Sequence, residues 1–234
     1  MVRRLVLGVV MAAATPALAG PCAVEPFGPV PISNGGVAIA EGGGVIVAQD
    51  LGGGRGKDER VEQPGWRIKD VNDLKKPMIK TIAPGLAVYQ LPAGGGATLT
   101  LVDDAQQAVF EIRRALAPRD LLPAPKVSKV EYKATTTKRG PASMTSTTVR
   151  ATFEAAPTNT VALVLYEVDG ATPIARTWSR VTDGAKESYV YVSGGRCRPG
   201  IPGQQPSAKG TKVQLAWLDS SGRLSPPSKT ITVK

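Results

Sequence analysis

The residue types that run hydrolytic and metal chemistry are thinly represented in this chain. It has no histidine. Neither a Ser-His-Asp triad nor a Cys-His dyad can therefore be assembled, and a histidine-ligated zinc site is excluded. The Ser-x-x-Lys nucleophile pattern is also missing. Carboxylates remain. A glycosidase needs only two of them at the right separation across a sugar, and the candidates are Glu41, Asp50, Asp70, Asp103, Asp104, Glu167 and Asp169. Nothing in their spacing singles out a pair. Asp103-Asp104 and Asp169-Gly170 sit where turns are expected. The glycine loop Gly52-Gly53-Gly54-Arg55-Gly56-Lys57 fails as a phosphate cradle. The first glycine of that motif would fall on Leu51, and Asp58 follows the lysine where a magnesium-binding hydroxyl is needed. No calcium-loop pattern is present. The sequence implies no cofactor and no metal.

Charge gives the one non-random signal. The formal net charge is +10, and it is unevenly spread. Residues 113–150 hold nine basic side chains against two acidic ones, whereas residues 20–112 hold eight against eleven. The basic set includes Arg113, Arg114, Arg119, Lys126, Lys129, Lys133, Lys138, Arg139 and Arg150. Such a cluster attracts anionic polymers. The polyanion-binding candidates are Lys126, Lys129, Lys133, Lys138, Arg139 and Arg150. Nucleic acid fits poorly, because only Tyr132 lies among them for base stacking. The simpler reading is a solvated linker whose lysines keep an edge strand from aggregating. Of the tryptophans, Trp217 shares a face with Val213 and Leu215 and reads as core, while Trp178 lies on one face with Arg176 and Arg180 and is the candidate exposed ring.

The first residues read as a secretory signal. Arg3 and Arg4 open it, Leu5 to Ala14 is an apolar run, and Ala17-Leu18-Ala19 offers small residues for cleavage after Ala19. The run is too short to span a bilayer, which takes roughly 20 apolar residues. A secreted or periplasmic protein is expected, with no transmembrane segment once the signal is removed. Pro21 ahead of Cys22 argues against lipid attachment. The two cysteines, Cys22 and Cys197, are an even pair, and in an exported chain that predicts one disulfide.

The mature chain reads as all-β. Short apolar and alternating runs are separated by Gly, Pro and Asn-Gly signals throughout. Val37–Ala40 and Val45–Ala48 are expected to form a hairpin around Gly42-Gly43-Gly44. Asp103-Asp104-Ala105-Gln106 is expected to join two strands. Val71–Lys76 is read as a helical turn stopped by Pro77. Leu51–Gln63 has no apolar period and reads as a surface loop. Pro118, Pro123 and Pro125 mark a boundary. The expected organisation is a signal at 1–19, a β-sandwich-like domain at 20–117, a Pro-rich linker at 118–125 and a second β-sandwich at 126–234. Thr147–Glu154 alternates, with Val149, Ala151 and Phe153 on one face. Val161–Val168 is apolar on both faces, as in a strand enclosed on both sides.

The C-terminal half carries a resemblance. Lys212-Val213-Gln214-Leu215-Ala216-Trp217-Leu218-Asp219 alternates, Ser220-Ser221-Gly222-Arg223 turns, and Leu224-Ser225-Pro226-Pro227-Ser228 leads into Lys229-Thr230-Ile231-Thr232-Val233. This resembles the last two strands of fibronectin type III and immunoglobulin-like β-sandwiches. The resemblance implies a sandwich over residues 126–234, and the signal peptide, the strand pattern and the missing catalytic side chains together point to a role in adhesion, scaffolding or binding. Phe153 stands where the family usually has a tryptophan, and Leu215 or Trp217 where it usually has a tyrosine. Three functions are expected from these observations: a non-enzymatic envelope protein that meets another envelope protein, a binder of anionic envelope polysaccharide through residues 113–150, or a carboxylate-based glycan hydrolase.

Overall fold

The computed structural model describes residues 30–32, 38–49, 65–70, 73–94, 96–115, 119–139, 142–193 and 209–234. Residues 1–29, with the expected signal and Cys22, residues 33–37, the segment 50–64 expected as a surface loop, and residues 194–208 with Cys197 lie outside the described residues. Every regular element among the described residues is a strand. The strands form four antiparallel sheets.

Two sheets come from the N-terminal half. The first holds β1 (Val30–Pro31), β2 (Gly44–Ala48), β5 (Met78–Ala83) and β6 (Leu86–Gln90), in the order β1-β2-β6-β5. The second holds β3 (Arg67–Asp70), β4 (Asp73–Lys75), β7 (Thr98–Val102) and β8 (Ala108–Arg113), in the order β4-β3-β7-β8. The C-terminal half supplies a third sheet of β11 (Thr160–Glu167), β12 (Ile174–Arg180), β14 (Lys212–Asp219) and β15 (Ile231–Thr232), ordered β12-β11-β14-β15. The fourth contains β9 (Val127–Arg139), β10 (Ala142–Phe153) and β13 (Glu187–Ser193), ordered β13-β10-β9.

The two-residue period of a strand decides how these sheets stack. In β2, Val45 and Val47 pack with Ile68, Leu99 and Ile112 of the second sheet. The alternate residues Ile46 and Ala48 pack with Val161, Ala162, Val164 and Leu218 of the third. In β11, Leu163 and Leu165 turn the other way and join Val130, Val149, Phe153 and Val190 of the fourth. The result is four stacked layers with three apolar seams. The two inner sheets are buried on both faces, which is why Val161–Val168 carries no polar alternation. It is also why β2 is buried at every position. The middle seam joins residues from both halves of the chain, so the halves share a core.

The sequence misplaced some local structure. Val37–Ala40 and Val45–Ala48 do not pair as a hairpin. Ile39 instead bridges Arg114 in parallel at the edge of the second sheet, and β2 lies between β1 and β6 in the first. The bend between them crosses from one layer to the next. Glycine suits it because a Cβ on Gly44 would collide with the Tyr89 carbonyl and Val88. Asp73–Lys75, within the stretch read as a helical turn, is a strand paired with β3, Asp70 opposite Asp73, while residues 71–72 lie outside the described residues. Pairing with β3 wins because Ile68 is fully buried and holds the strand in register. The connection at Asp103-Asp104-Ala105-Gln106 does join β7 and β8. Asp103 N donates to Gln107 O at 3.0 Å, and Gln106 takes a φ of 58°.

The Ser-Pro lead-in to the last strand has its own logic. Pro226 and Pro227 cannot donate to a ladder, so the serines on either side do the pairing. Ser225 N donates to Trp217 O at 2.9 Å and Ser228 N to Leu215 O at 2.7 Å. Their hydroxyls accept from Trp217 N and Leu215 N, both at 3.0 Å. All-β architecture in antiparallel sheets is thereby established, compatible with sandwich packing.

Candidate functional site

β9 and β10 are longer than any other strands described, at 13 and 12 residues, and pair from Val127–Phe153 out to Arg139–Ala142. Among the described residues their neighbours cover only part of this length. β13 pairs with β10 only from Thr152 to Thr147. On the other edge, Lys234 exchanges backbone bonds with Val130 and Tyr132. Beyond these points the two strands run on together as a ribbon, seven residues of β9 (133–139) against five of β10 (142–146), about 17–23 Å at the usual rise per residue. The reason is legible in the residues. Inward positions of β9 hold Val130 and Tyr132 and then change to Ala134, Thr136 and Lys138, so no large apolar side chain of β9 remains to be covered. Residues 133–138 are exposed throughout. Threonine keeps the ribbon extended through its β-branching. Thr136 and Thr145 face each other with hydroxyl oxygens 3.0 Å apart.

The basic segment does not form one patch. Arg113 and Arg114 belong to the end of β8 in the second sheet, where the Arg114 guanidinium donates to the Pro92 carbonyl. Lys126 pairs with Glu154 at 3.1 Å. Lys129 pairs with Glu131 at 2.7 Å, and Arg150 bridges Glu131 at 2.9 Å and Glu187 at 3.5 Å. The hydrogen bond from Lys129, and then that from Arg150, holds the Glu131 carboxyl below the usual carboxylate range. Glu131 in turn raises Arg150. Of the six polyanion-binding candidates, Lys133, where the ribbon leaves the sheet, and Lys138 near its end are exposed and have no ion-pair partner among the described residues. Arg139 is the last residue of β9. Of the six candidates, three are neutralised at the sheet and three lie along the ribbon.

Trp178 is half-buried and not an exposed platform. Its ring packs in the middle seam, and its indole N–H donates to the Pro84 carbonyl at 3.1 Å, across the two halves of the chain. Strand alternation explains it. Thr177 faces the fourth sheet, where its hydroxyl donates to Val190 O at 2.9 Å, so Trp178 must face the first. Among the described residues the exposed aromatic ring is Tyr189, 52% accessible. It lies opposite Arg150 in the β10–β13 register, and sequence reasoning passed it over. Its alternation with Val190, which is buried in the outer seam, was the available signal.

The acidic candidates have structural work. Asp70 accepts from Gly96 N at 3.2 Å, Asp103 from Gln107 N at 2.8 Å, and Glu167 pairs with Arg176 at 2.7 Å. Glu41, Asp104 and Asp169 are exposed at turns, and Asp50 lies outside the described residues. Among the described residues no three acidic or cysteine side chains converge in a metal-binding group. No helix there is long and apolar enough to cross a membrane.

Among the described residues one buried side-chain group has no hydrogen-bond partner. The Tyr89 hydroxyl sits in the seam between the first two sheets, and its ring lies 5.7 Å from that of Trp66. Burial pushes its ionisation up to about 12. A buried polar atom without a hydrogen bond costs about 1–3 kcal/mol. Tyr89→Phe is therefore expected to raise stability by about 1 kcal/mol, read as a higher urea midpoint at unchanged slope. A lower midpoint would mean that the hydroxyl has a partner.

Comparison with protein-family models, with curated proteins and with solved structures gave no match.

Proposed function

We propose that this is an exported, non-enzymatic binding protein, and that its four-layer body is a rigid platform presenting the β9–β10 ribbon to an anionic polymer of the cell envelope. In this reading the halves are tandem sandwiches of the fibronectin type III or immunoglobulin-like kind, tied by a Cys22–Cys197 bridge. The observation that carries it is the division of the basic segment. Lys126, Lys129 and Arg150 are bound to glutamates, while Lys133, Lys138 and Arg139 lie on a ribbon whose stretch from 133 to 149 contains no acidic residue. Cations held away from internal counter-charges are the ones free to meet an external anion. The ribbon's threonines and serines add hydroxyls for sugar or phosphate oxygens. The acidic candidates already hold turns and ion pairs, which favours binding over hydrolysis.

The test is a titration of purified protein with alginate and with isolated envelope polysaccharide across a salt series. Binding is expected to weaken steadily with salt, since exposed charges are screened within about 8 Å at physiological ionic strength. Each exposed contact is worth about 0.2–1 kcal/mol. Lys133→Gln, Lys138→Gln and Arg139→Gln together should therefore weaken binding about tenfold. Lys126→Gln, which removes a cation already paired, should leave it almost unchanged. Salt-insensitive binding, or an equal loss in both variants, would overturn the reading.

A further inference from the structure

The corner between β4 and β5 has a character of its own. Leu74-Lys75-Lys76-Pro77-Met78 exposes 43% of Leu74 and 72% of Met78. These are two of the few large apolar side chains left in water among the described residues. An open groove of about 600 Å³ lies alongside, lined by Met78, Gln90, Leu91, Pro92, Lys75 and Lys76. That volume falls within the range of small-molecule sites, about 300–1,000 Å³.

The groove is built on fixed parts. Pro77 is buried and pins the corner. Leu91 packs against the seam of the first two sheets, and its N–H donates to the Gly43 carbonyl at 3.1 Å. The Pro92 carbonyl is held by the Arg114 guanidinium. The wall made by Leu91 and Pro92 is thus in place before any ligand arrives. At the rim, Lys75 shares its charge with Asp73 at 3.1 Å. Lys76 is exposed and has no ion-pair partner among the described residues.

An apolar wall ending at a free cation calls for a ligand with both properties. A long hydrophilic polyanion would leave Met78 and Leu91 without a contact. A neutral apolar ligand would leave Lys76 unused. We propose that this groove binds a single-chain anionic amphiphile of the fatty-acid class, with its alkyl chain along Met78, Leu91 and Pro92 and its head group at Lys76. The site is separate from the β9–β10 ribbon and does not depend on it.

The experiment titrates the purified protein with dansyl-undecanoic acid below its micelle concentration and follows dansyl emission. Saturable binding is expected. The lysine variant Lys76→Gln should weaken it about fivefold, the worth of one exposed charge contact. Met78→Asn should weaken it too, and the probe with its carboxylate amidated should bind as poorly as the acid binds the lysine variant. The ribbon variant with Lys133, Lys138 and Arg139 changed to Gln should bind like the unaltered chain. Because the substituted side chains are at the surface, far-UV circular dichroism is expected to be unchanged in all of them. No saturable binding, or equal binding by the lysine variant, would overturn the proposal. So would binding to vesicles containing phosphatidylglycerol without binding to the free probe, which would assign the corner to a membrane surface.

Discussion

Replacing Asp219 with alanine is expected to cost about 3–5 kcal/mol of stability, the range for breaking a buried ion pair by removing one partner. The carboxylate ends β14 and organises the turn after it. Oδ1 accepts from Ser221 N at 2.8 Å and from Arg223 N at 2.9 Å. Oδ2 binds the Arg223 guanidinium through Nε at 2.9 Å and Nη2 at 2.8 Å. The pair is largely out of water, with side chains 17% and 6% accessible. Both partners also reach beyond the turn. Ser221 accepts from Gly44 N at 2.8 Å through its carbonyl and from Ala40 N at 2.9 Å through its hydroxyl. Arg223 donates to the carbonyls of Arg119 at 2.7 Å and Asp120 at 3.3 Å, holding the segment that connects the halves.

Alanine at 219 would therefore leave a guanidinium with half its partners and loosen a turn on which the N-terminal half rests. Asp219→Asn keeps an acceptor for Ser221 N and Arg223 N but loses the charge, and should cost about half as much. Urea unfolding of the three proteins measures the series. A loss below about 1 kcal/mol for the alanine variant would place this interaction in the class of surface pairs and remove it as the suture. The turn leaves no slack elsewhere. Gly222 has a φ of 73°, and a Cβ there would press on the Val88 side chain.

How much of this was readable in the sequence depends on whether the deciding partner was near or far. The β character, the β7–β8 connection and the inward faces of Val149, Ala151 and Phe153 come from period and turn chemistry, which are local. Val161–Val168 was legible as a strand enclosed on both sides. That its second cover is β2, β5 and β6 of the other half was not, because apolar runs do not name their partners. Trp178 failed for the same reason. Flanking arginines suggested solvent, but Arg176 is drawn to Glu167 and the ring turns to Pro84, 94 positions away in sequence. The basic segment was visible as composition, and its neutralisation was not. Lys126–Glu154 and Arg150–Glu187 are set by strand register, and register is fixed by the fold. The ribbon was the most nearly legible feature missed. Between Lys133 and Thr148 the chain alternates threonine, serine and lysine with scarcely an apolar residue, a strand pattern with no core to face.

Trp178→Ala tests the most consequential difference between two linked sandwiches and four layers with a shared seam. The ring is half-buried among Ile82, Leu86, Ala175 and their neighbours. Removing it should cost about 3 kcal/mol, near the low end for a large aromatic side chain. Trp178→Phe keeps most of the packing but removes the indole N–H bond to Pro84, and should cost about 1 kcal/mol. Where the loss appears is the sharper readout. Trp178 sits on β12, in the C-terminal half. If the halves folded independently, only that half would be weakened. With Ile46, Leu86 and Val88 packed on Val164 and Leu218, opening either half exposes the face of the other, and the loss must be shared. Hydrogen–deuterium exchange can read the halves separately, through peptides from β7–β8 and from the sheet-bound part of β9–β10. In the alanine variant both sets of amides are expected to exchange faster by the same factor, matching the fall in global stability. Acceleration confined to β9–β10 would mean that the middle seam is a contact between two independent units and not part of one core.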